Sequence, residues 1–241
     1  FAKGLAMVLD IPCVGVDHMA AHLLSPFLEK PAPEFPYIAL IASGGNTSLY
    51  RVDGPAEFNF LGRTRDDAAG EAFDKVAKLL NLGYPGGPII SRLALAGNPA
   101  AIPFPRAWLD SDSLDFSFSG LKTAVVNCVN TFRQKKLDVP VADICASFQE
   151  AVVEVLAGKT ILAARRSLAK RVVIGGGVAS NRRLRQVMAE QCAAAGLRLF
   201  VPAPVYCTDN AAMVGLAGIH RFRRGEILAP DADVYSRPQL Y

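Results

Sequence analysis

Residues 171–196 read RVVIGGGVASNRRLRQVMAEQCAAAG. A basic start leads into the apolar strand residues 172–174, then three glycines, then a helix that Gly196 ends. A strand feeding a helix through a glycine turn is the building unit of an α/β fold. LRLFVP (197–202) reads as the next strand, so strands and helices alternate. Upstream, YIALIA (37–42) is an apolar strand running into SGGN (43–46), and TSLYRV (47–52) resumes strand character. That hairpin makes the sheet mixed and not purely parallel.

The other segments fit around these strands. FAKGLAMVLDIP (1–12) has helical spacing, with Phe1, Leu5, Val8 and Leu9 on one face and no N-cap before them, as if the chain starts mid-element. Residues 11–16 read as a short buried strand, and the Pro-rich 29–36 as a loop. Residues 66–80 form an amphipathic helix with Ala72, Val76 and Leu79 or Leu80 inward; YPGGP (84–88) is a sharp loop, with Pro88 in the first turn of the next helix. Residues 98–118 are irregular, 119–130 restart a helix, and 141–168 form a long one. Residues 207–222 are a loop feeding a helix capped by Asp209 or Asn210.

Composition narrows the function classes. Hydrophobic residues make up 51% of the 241 and charged residues 20%, enough for a full core. A net charge of +4 permits nucleic-acid binding without singling it out. The five scattered cysteines contain no CxxC pair, which fits reduced thiols better than a disulfide framework or zinc finger. No apolar run approaches the ~18 residues a membrane helix needs. The opening residues lack a signal-peptide pattern. A cytoplasmic location with no membrane partner is expected.

Two constellations suggest chemistry. Ser43-Gly44-Gly45 and Gly175-Gly176-Gly177 both follow strands, and such turns let backbone N–H groups approach an anion. Together they favour a nucleotide cleft. It is not a Rossmann fingerprint, because the third glycine is Ser180 and position 195 is Ala; nor is it a P-loop, because SGLKT (119–123) lacks the G-x-x-x-x-G-K frame. Asp74 in GEAFDK either holds ribose or adenine groups or simply pairs with Lys78 one turn on. The second constellation is DHMAAHLL (17–24), in which His18 and His22 stand four apart and share a helix face. Asp209 in CTDN is a candidate third ligand, and two histidines with one carboxylate suit Fe(II) or Zn(II) with positions left open. The segment is not HExxH, so the zinc-protease general base is missing. His220 and the arginines 182, 183 and 185 read as solvated surface, though the arginines also suit tRNA contact.

In chain order, HMAAH, IASGGNTSL, DDAAGEAFDKVAKLLNLGYPGGP, FSFSGLKTAV, ASFQEAVVEVL, VVIGGGVASNRRLR and YCTDNAAM together resemble the tRNA N6-adenosine threonylcarbamoyltransferase family (TsaD) over essentially the whole chain. The resemblance implies an actin/Hsp70-like ATPase (ASKHA) fold of two RNase H-like lobes. The first lobe, 1–35 plus 212–241, would be incomplete because the family's N-terminal part is expected to be missing; the second, 36–211, would carry the cleft. It implies metal-assisted transfer of the threonylcarbamoyl group from threonylcarbamoyl-AMP to the N6 amine of the adenosine beside the tRNA anticodon. The alternative is a non-catalytic scaffold paralogue or inactive fragment of the same complex. Metal ligands would be His18, His22 and Asp209, holding Fe(II), with Zn(II) or Mg(II) as alternatives. Substrate contacts would be Ile41, Ala42, Ser43, Gly44, Gly45, Asp74, Gly87 and Asn181; no proton-handling catalytic residue is evident. Implied partners are tRNA, a paralogous subunit and an ATPase subunit. The chain departs from the family pattern in Ala20-Ala21, where Glu-Gly is usual between the histidines, in Asn46, and in Ser91, often an Asp.

Overall fold

The computed structural model describes residues 1–107, 112–229 and 231–234; parts of the expected irregular segment 98–118 and of the expected first lobe lie outside the described residues. The elements in chain order are α1 (Ala2–Leu9), α2 (His18–Leu24), β1 (Tyr37–Ala42), β2 (Thr47–Gly54), β3 (Glu57–Arg63), α3 (Ala69–Leu79), α4 (Gly86–Leu93), α5 (Ser119–Gln134), α6 (Val141–Arg166), β4 (Arg171–Gly175), α7 (Arg182–Ala194), β5 (Arg198–Phe200), α8 (Pro204–Cys207) and α9 (Ala211–Arg223). The strands form one mixed sheet in the order β3-β2-β1-β4-β5. β1 runs antiparallel to β2 and parallel to β4, and β4 parallel to β5.

β1 is central, and all six of its residues are buried. Its alternation sorts them between two cores. Ile38 and Leu40, with Leu49, Val172 and Ile174, join the main cluster under α3 to α7. Tyr37, Ala39 and Ile41, with Tyr50, Val52 and Val173, face the other way onto Met19 and Leu23 of α2. Each large side chain so buried stabilises by about 1.5–3 kcal/mol. α6 is the spine of the main core: 17 of its 26 residues are buried, so it has no single polar face. α2 turns its remaining side, Ala21 and Leu24, to Met213 and Ala217 of α9.

Three expectations change. Residues 11–16 form no strand; none of them is buried, and no described strand stands beside them to satisfy their backbone. α1 buries none of its residues, so the Phe1, Leu5, Val8 and Leu9 face is exposed. β3 is an addition to the expected strands: it is an edge strand with all but one residue exposed or half-exposed, which blurs the period-2 pattern.

Candidate functional site

The register of the sheet makes the site. Ile41 pairs with Gly175 across β1 and β4, so the two glycine turns leave the carboxyl ends of adjacent parallel strands. Ligands of open α/β sheets bind at that end. Gly176 has φ +82°, and a Cβ there would stand 2.3 Å from the Ala42 carbonyl oxygen, so only glycine allows this approach. Gly70, in the first turn of α3, donates its N–H to the Ser43 carbonyl at 3.1 Å and seats the SGGN turn directly on the helix. Within that turn Ser43 N–H donates to Asn46 O, whereas the exposed N–H groups of Gly44 and Gly45 have no hydrogen-bond partner among the described residues.

Beyond the turns opens a cavity of about 1050 Å³, lined among others by Gly44, Asp74, Gly87, Gln149, Asn181 and Thr208. Asp74 Oδ1 accepts the Gly86 N–H at 2.7 Å and holds the loop that starts α4. Its second oxygen has no partner among the described residues, and no pairing with Lys78 is formed. Asn181 Oδ1 caps α7 by accepting Leu184 N–H at 3.0 Å, and its Nδ2 donates to Gln149 Oε1 at 2.8 Å. That amide therefore builds the wall of the cavity. Gln149 went unrecognised in the sequence; a polar residue buried amid the apolar positions of α6 was the available signal. Ile41 and Ala42 do not line the cavity: their side chains are buried in the sheet and their backbones are in its ladders. Ser43 and Gly45 flank Gly44 in the turn. Ser91 lines the same wall.

The histidine pair is tied to this cleft through Asp209, which it contacts and which follows the cavity-lining Thr208 in the chain. Asp17 caps α2, accepting Met19 and Ala20 N–H at 2.8 and 3.0 Å, and so fixes the turn that presents His18. His18 and His22 meet edge to face with centroids 4.7 Å apart. Their Nε2 atoms lie 3.3 and 3.1 Å from Asp209 Oδ1. One donor atom from each of the three falls within 4.8 Å of the others. Asn210, not Asp209, caps α9, by accepting Met213 N–H at 2.9 Å, which frees the Asp209 carboxylate. Burial first, and then the neighbouring His18, pulls His22 below its ordinary 6.5, with Asp209 pulling partly back. A neutral imidazole is the form that binds metal. His22 Nδ1 is buried without a hydrogen-bond partner among the described residues, although ligating histidines usually donate from that atom.

The surface reading of three arginines also changes. Arg183 makes a bidentate pair with Glu150 at 2.7 Å on both arms, and Arg185 donates into the fold. Arg182 alone of the three is exposed. His220 is half-buried on α9.

The family model of tRNA N6-adenosine threonylcarbamoyltransferase matches residues 1–216. The chain belongs to that family. It is 56% identical to the tRNA N6-adenosine threonylcarbamoyltransferase of Desulfotalea psychrophila, covering 100% of this chain and 71% of that protein. The one from Syntrophotalea carbinolica is 55% identical, over 90% of this chain and 63% of the relative. The chain thus spans roughly two thirds of the length of these threonylcarbamoyltransferases. Full-length HypF in a phosphate- and nucleotide-bound form shares the fold with a TM-score of 0.67 at 16% identity, over 91% of this chain and 44% of that one. So does the activator of a 2-hydroxyisocaproyl-CoA dehydratase from Clostridium difficile with bound ADPNP, at a TM-score of 0.52 and 15% identity, over 91% of this chain and 70% of that one. The fold is the actin-like ASKHA type, with a mixed sheet. Among the described residues no helix is long and apolar enough to cross a membrane.

Proposed function

We propose that this chain carries the metal and substrate cleft of a tRNA N6-adenosine threonylcarbamoyltransferase. The cleft would transfer the threonylcarbamoyl group from threonylcarbamoyl-AMP to the N6 amine of the adenosine next to the anticodon. The observation that carries the reading is the convergence of His18, His22 and Asp209, with donor atoms within 4.8 Å, at the edge of a cavity floored by two glycine turns.

The three donors suit a divalent ion. Imidazole nitrogens favour Fe(II) or Zn(II) over Mg(II), which prefers oxygen, and Fe(II) is the proposed resident. When bound, the ion supplies Lewis-acid polarisation of the threonylcarbamoyl carbonyl. The chain's own groups do the positioning. The free N–H groups of Gly44 and Gly45 bind the phosphate or the threonine carboxylate. The open oxygen of Asp74 takes a ribose or adenine donor, and the open face of Gly87 leaves room for the nucleotide. Asn181 and Gln149 keep that wall in place. Orientation and fixed dipoles of this kind account for much of the rate gain in such transfers.

Residues 36–211 form the cleft lobe in this reading. α1, α2 and α9 belong to the other lobe, a division supported by the small separate cluster of Ala21, Leu24, Met213 and Ala217. The working enzyme is a cytoplasmic complex with tRNA, a paralogous subunit and an ATPase subunit.

The test is elemental analysis of the purified wild type beside His22→Ala, with transfer of radiolabelled threonine to tRNA followed in the same samples. One metal per chain, lost in the variant together with transfer, is expected. A folded wild type without metal would overturn the metal centre.

A further inference from the structure

The segment that carries Asp209 is thinly built. Between β5 and α9 its regular structure is the single turn of α8, and the Asp209 side chain is 79% exposed. Its approach to His22 therefore depends on what holds the backbone on each side. Downstream, the Asn210 cap fixes the start of α9. Upstream, Glu29 Oε2 accepts the Ala203 N–H at 2.7 Å. The Cys207 thiol donates to the Pro202 carbonyl at 3.3 Å. Arg185 Nη2 donates to the same carbonyl at 3.3 Å and reaches Cys207 Sγ at 3.7 Å. The same guanidinium donates from Nε to the Ala179 carbonyl at 2.6 Å. Ala179 lies in the 3₁₀ turn Gly177–Ser180, which ends at Asn181 on the wall of the cavity.

A single planar group thus joins the turn on the nucleotide side to the strap on the metal side. It stands in the first turn of α7, whose neighbouring Leu184 is fully buried, so its Cα is a fixed post. We propose that Arg185 is a positioning residue that sets Asp209 of the candidate metal centre in register with Asn181 of the nucleotide cleft. The proposal rests on the metal reading of His18, His22 and Asp209 given above. The chemistry explains the residue type. A guanidinium offers donors at fixed angles to two acceptors that point from different segments. A lysine ammonium is a single point of charge and does not hold both carbonyls in a fixed relation, so both the turn and the strap loosen.

The experiment measures two ligands on the full chain: Co(II), followed by its visible absorption as a stand-in for the resident ion, and AMP, followed by calorimetry. Wild type is compared with Arg185→Lys and with Glu29→Ala, and thermal melts establish that each is folded. Arg185→Lys is expected to weaken Co(II) binding by up to about 10-fold, the lower end of the cost of losing a group bonded directly to a ligand, because Arg185 acts on Asp209 through the strap. It is also expected to change the intensity of the cobalt bands and to weaken AMP. Glu29→Ala, which loosens the strap without touching the 3₁₀ turn, is expected to weaken Co(II) and leave AMP at wild-type affinity. Wild-type Co(II) affinity and spectrum in Arg185→Lys overturns the proposal. So does a loss confined to one ligand in that variant, because Arg185 then serves one side only. If Arg185→Lys does not fold, Glu29→Ala decides, and unchanged Co(II) binding there shows that the strap does not set Asp209. Wild type that binds AMP but no Co(II) overturns this proposal through the metal reading beneath it, and that failure is visible before any variant is made.

Discussion

Replacing Gly70 by alanine tests whether the SGGN turn is held by α3. A Cβ at Gly70 would stand 2.6 Å from the Ser43 carbonyl oxygen and 2.8 Å from both Cα and N of Gly44. Ordinary contacts begin near 3.4 Å, so turn and helix must separate by about 0.6–0.8 Å; all three atoms are backbone and have no rotamer to yield. Overpacking of this kind costs about 1–3 kcal/mol, against a helix-propensity gain of at most about 1 kcal/mol for Gly→Ala. Set against the full propensity gain the net loss is about 0–2 kcal/mol, which lowers the melting temperature by up to about 8 °C at this chain length. The larger effect falls on the ligand. If Gly44 or Gly45 donates to a charged ligand oxygen as proposed, losing that hydrogen bond costs about 1.5–3 kcal/mol, which is about 10–100-fold in AMP affinity. Gly120→Ala is the control: it occupies the same second position in α5, and its Cβ would meet nothing within 4 Å. It should melt at or above the wild type and bind AMP equally well. The two are compared by calorimetric titration with AMP and by thermal melts. If Gly70→Ala matches Gly120→Ala in both, the turn is not seated on α3, and that helix does not set the Gly44 and Gly45 N–H groups.

Asp66 caps α5 from across the fold, accepting Phe118 N–H at 2.8 Å, Ser119 N–H at 3.2 Å and the hydroxyls of Ser117 and Ser119. Burial raises its pKa, but these hydrogen bonds outweigh it and hold the carboxyl below its ordinary 3.8. Its stabilisation is therefore full above that ordinary value and fades as pH falls through the lowered one. Asp66→Ala should cost about 0.5–2 kcal/mol at pH 7, and urea titrations at pH 7 and pH 2.5 should show the gap from wild type narrowing in acid; an equal gap at both pH values refutes the assignment. Arg92 and Arg182 line the cavity, are exposed, and have no acidic partner among the described residues. If they meet tRNA phosphates, the double alanine variant should bind tRNA more weakly and with a shallower dependence of log affinity on log salt, by about 0.7–0.9 for each phosphate no longer neutralised; an unchanged slope excludes them.

The order of strands, glycine turns and helices is legible along the chain because each is a local matter. Period and apolar run length mark β1, β4 and α6, and glycine marks turns where a Cβ cannot pass. The pairing of His18 with His22 is equally local, one helical turn apart. The family resemblance, carried by contiguous motifs, pointed to Asp209 and Asp74 without geometry. Other features depend on neighbours that no window of sequence contains. β4 lies beside β1 although more than 120 residues separate them, and only that adjacency makes two glycine turns into one cleft. Asp209 reaches His22 across 187 positions because α2 packs on α9. Residues 11–16 are apolar enough for a strand yet form none, since a strand exists only where another supplies its hydrogen bonds. In the run RRLR, Arg182, Arg183 and Arg185 look alike in sequence. Their fates, one exposed, one paired to Glu150 and one bridging two turns, were decided by which acceptors the folded chain brought within reach of each guanidinium.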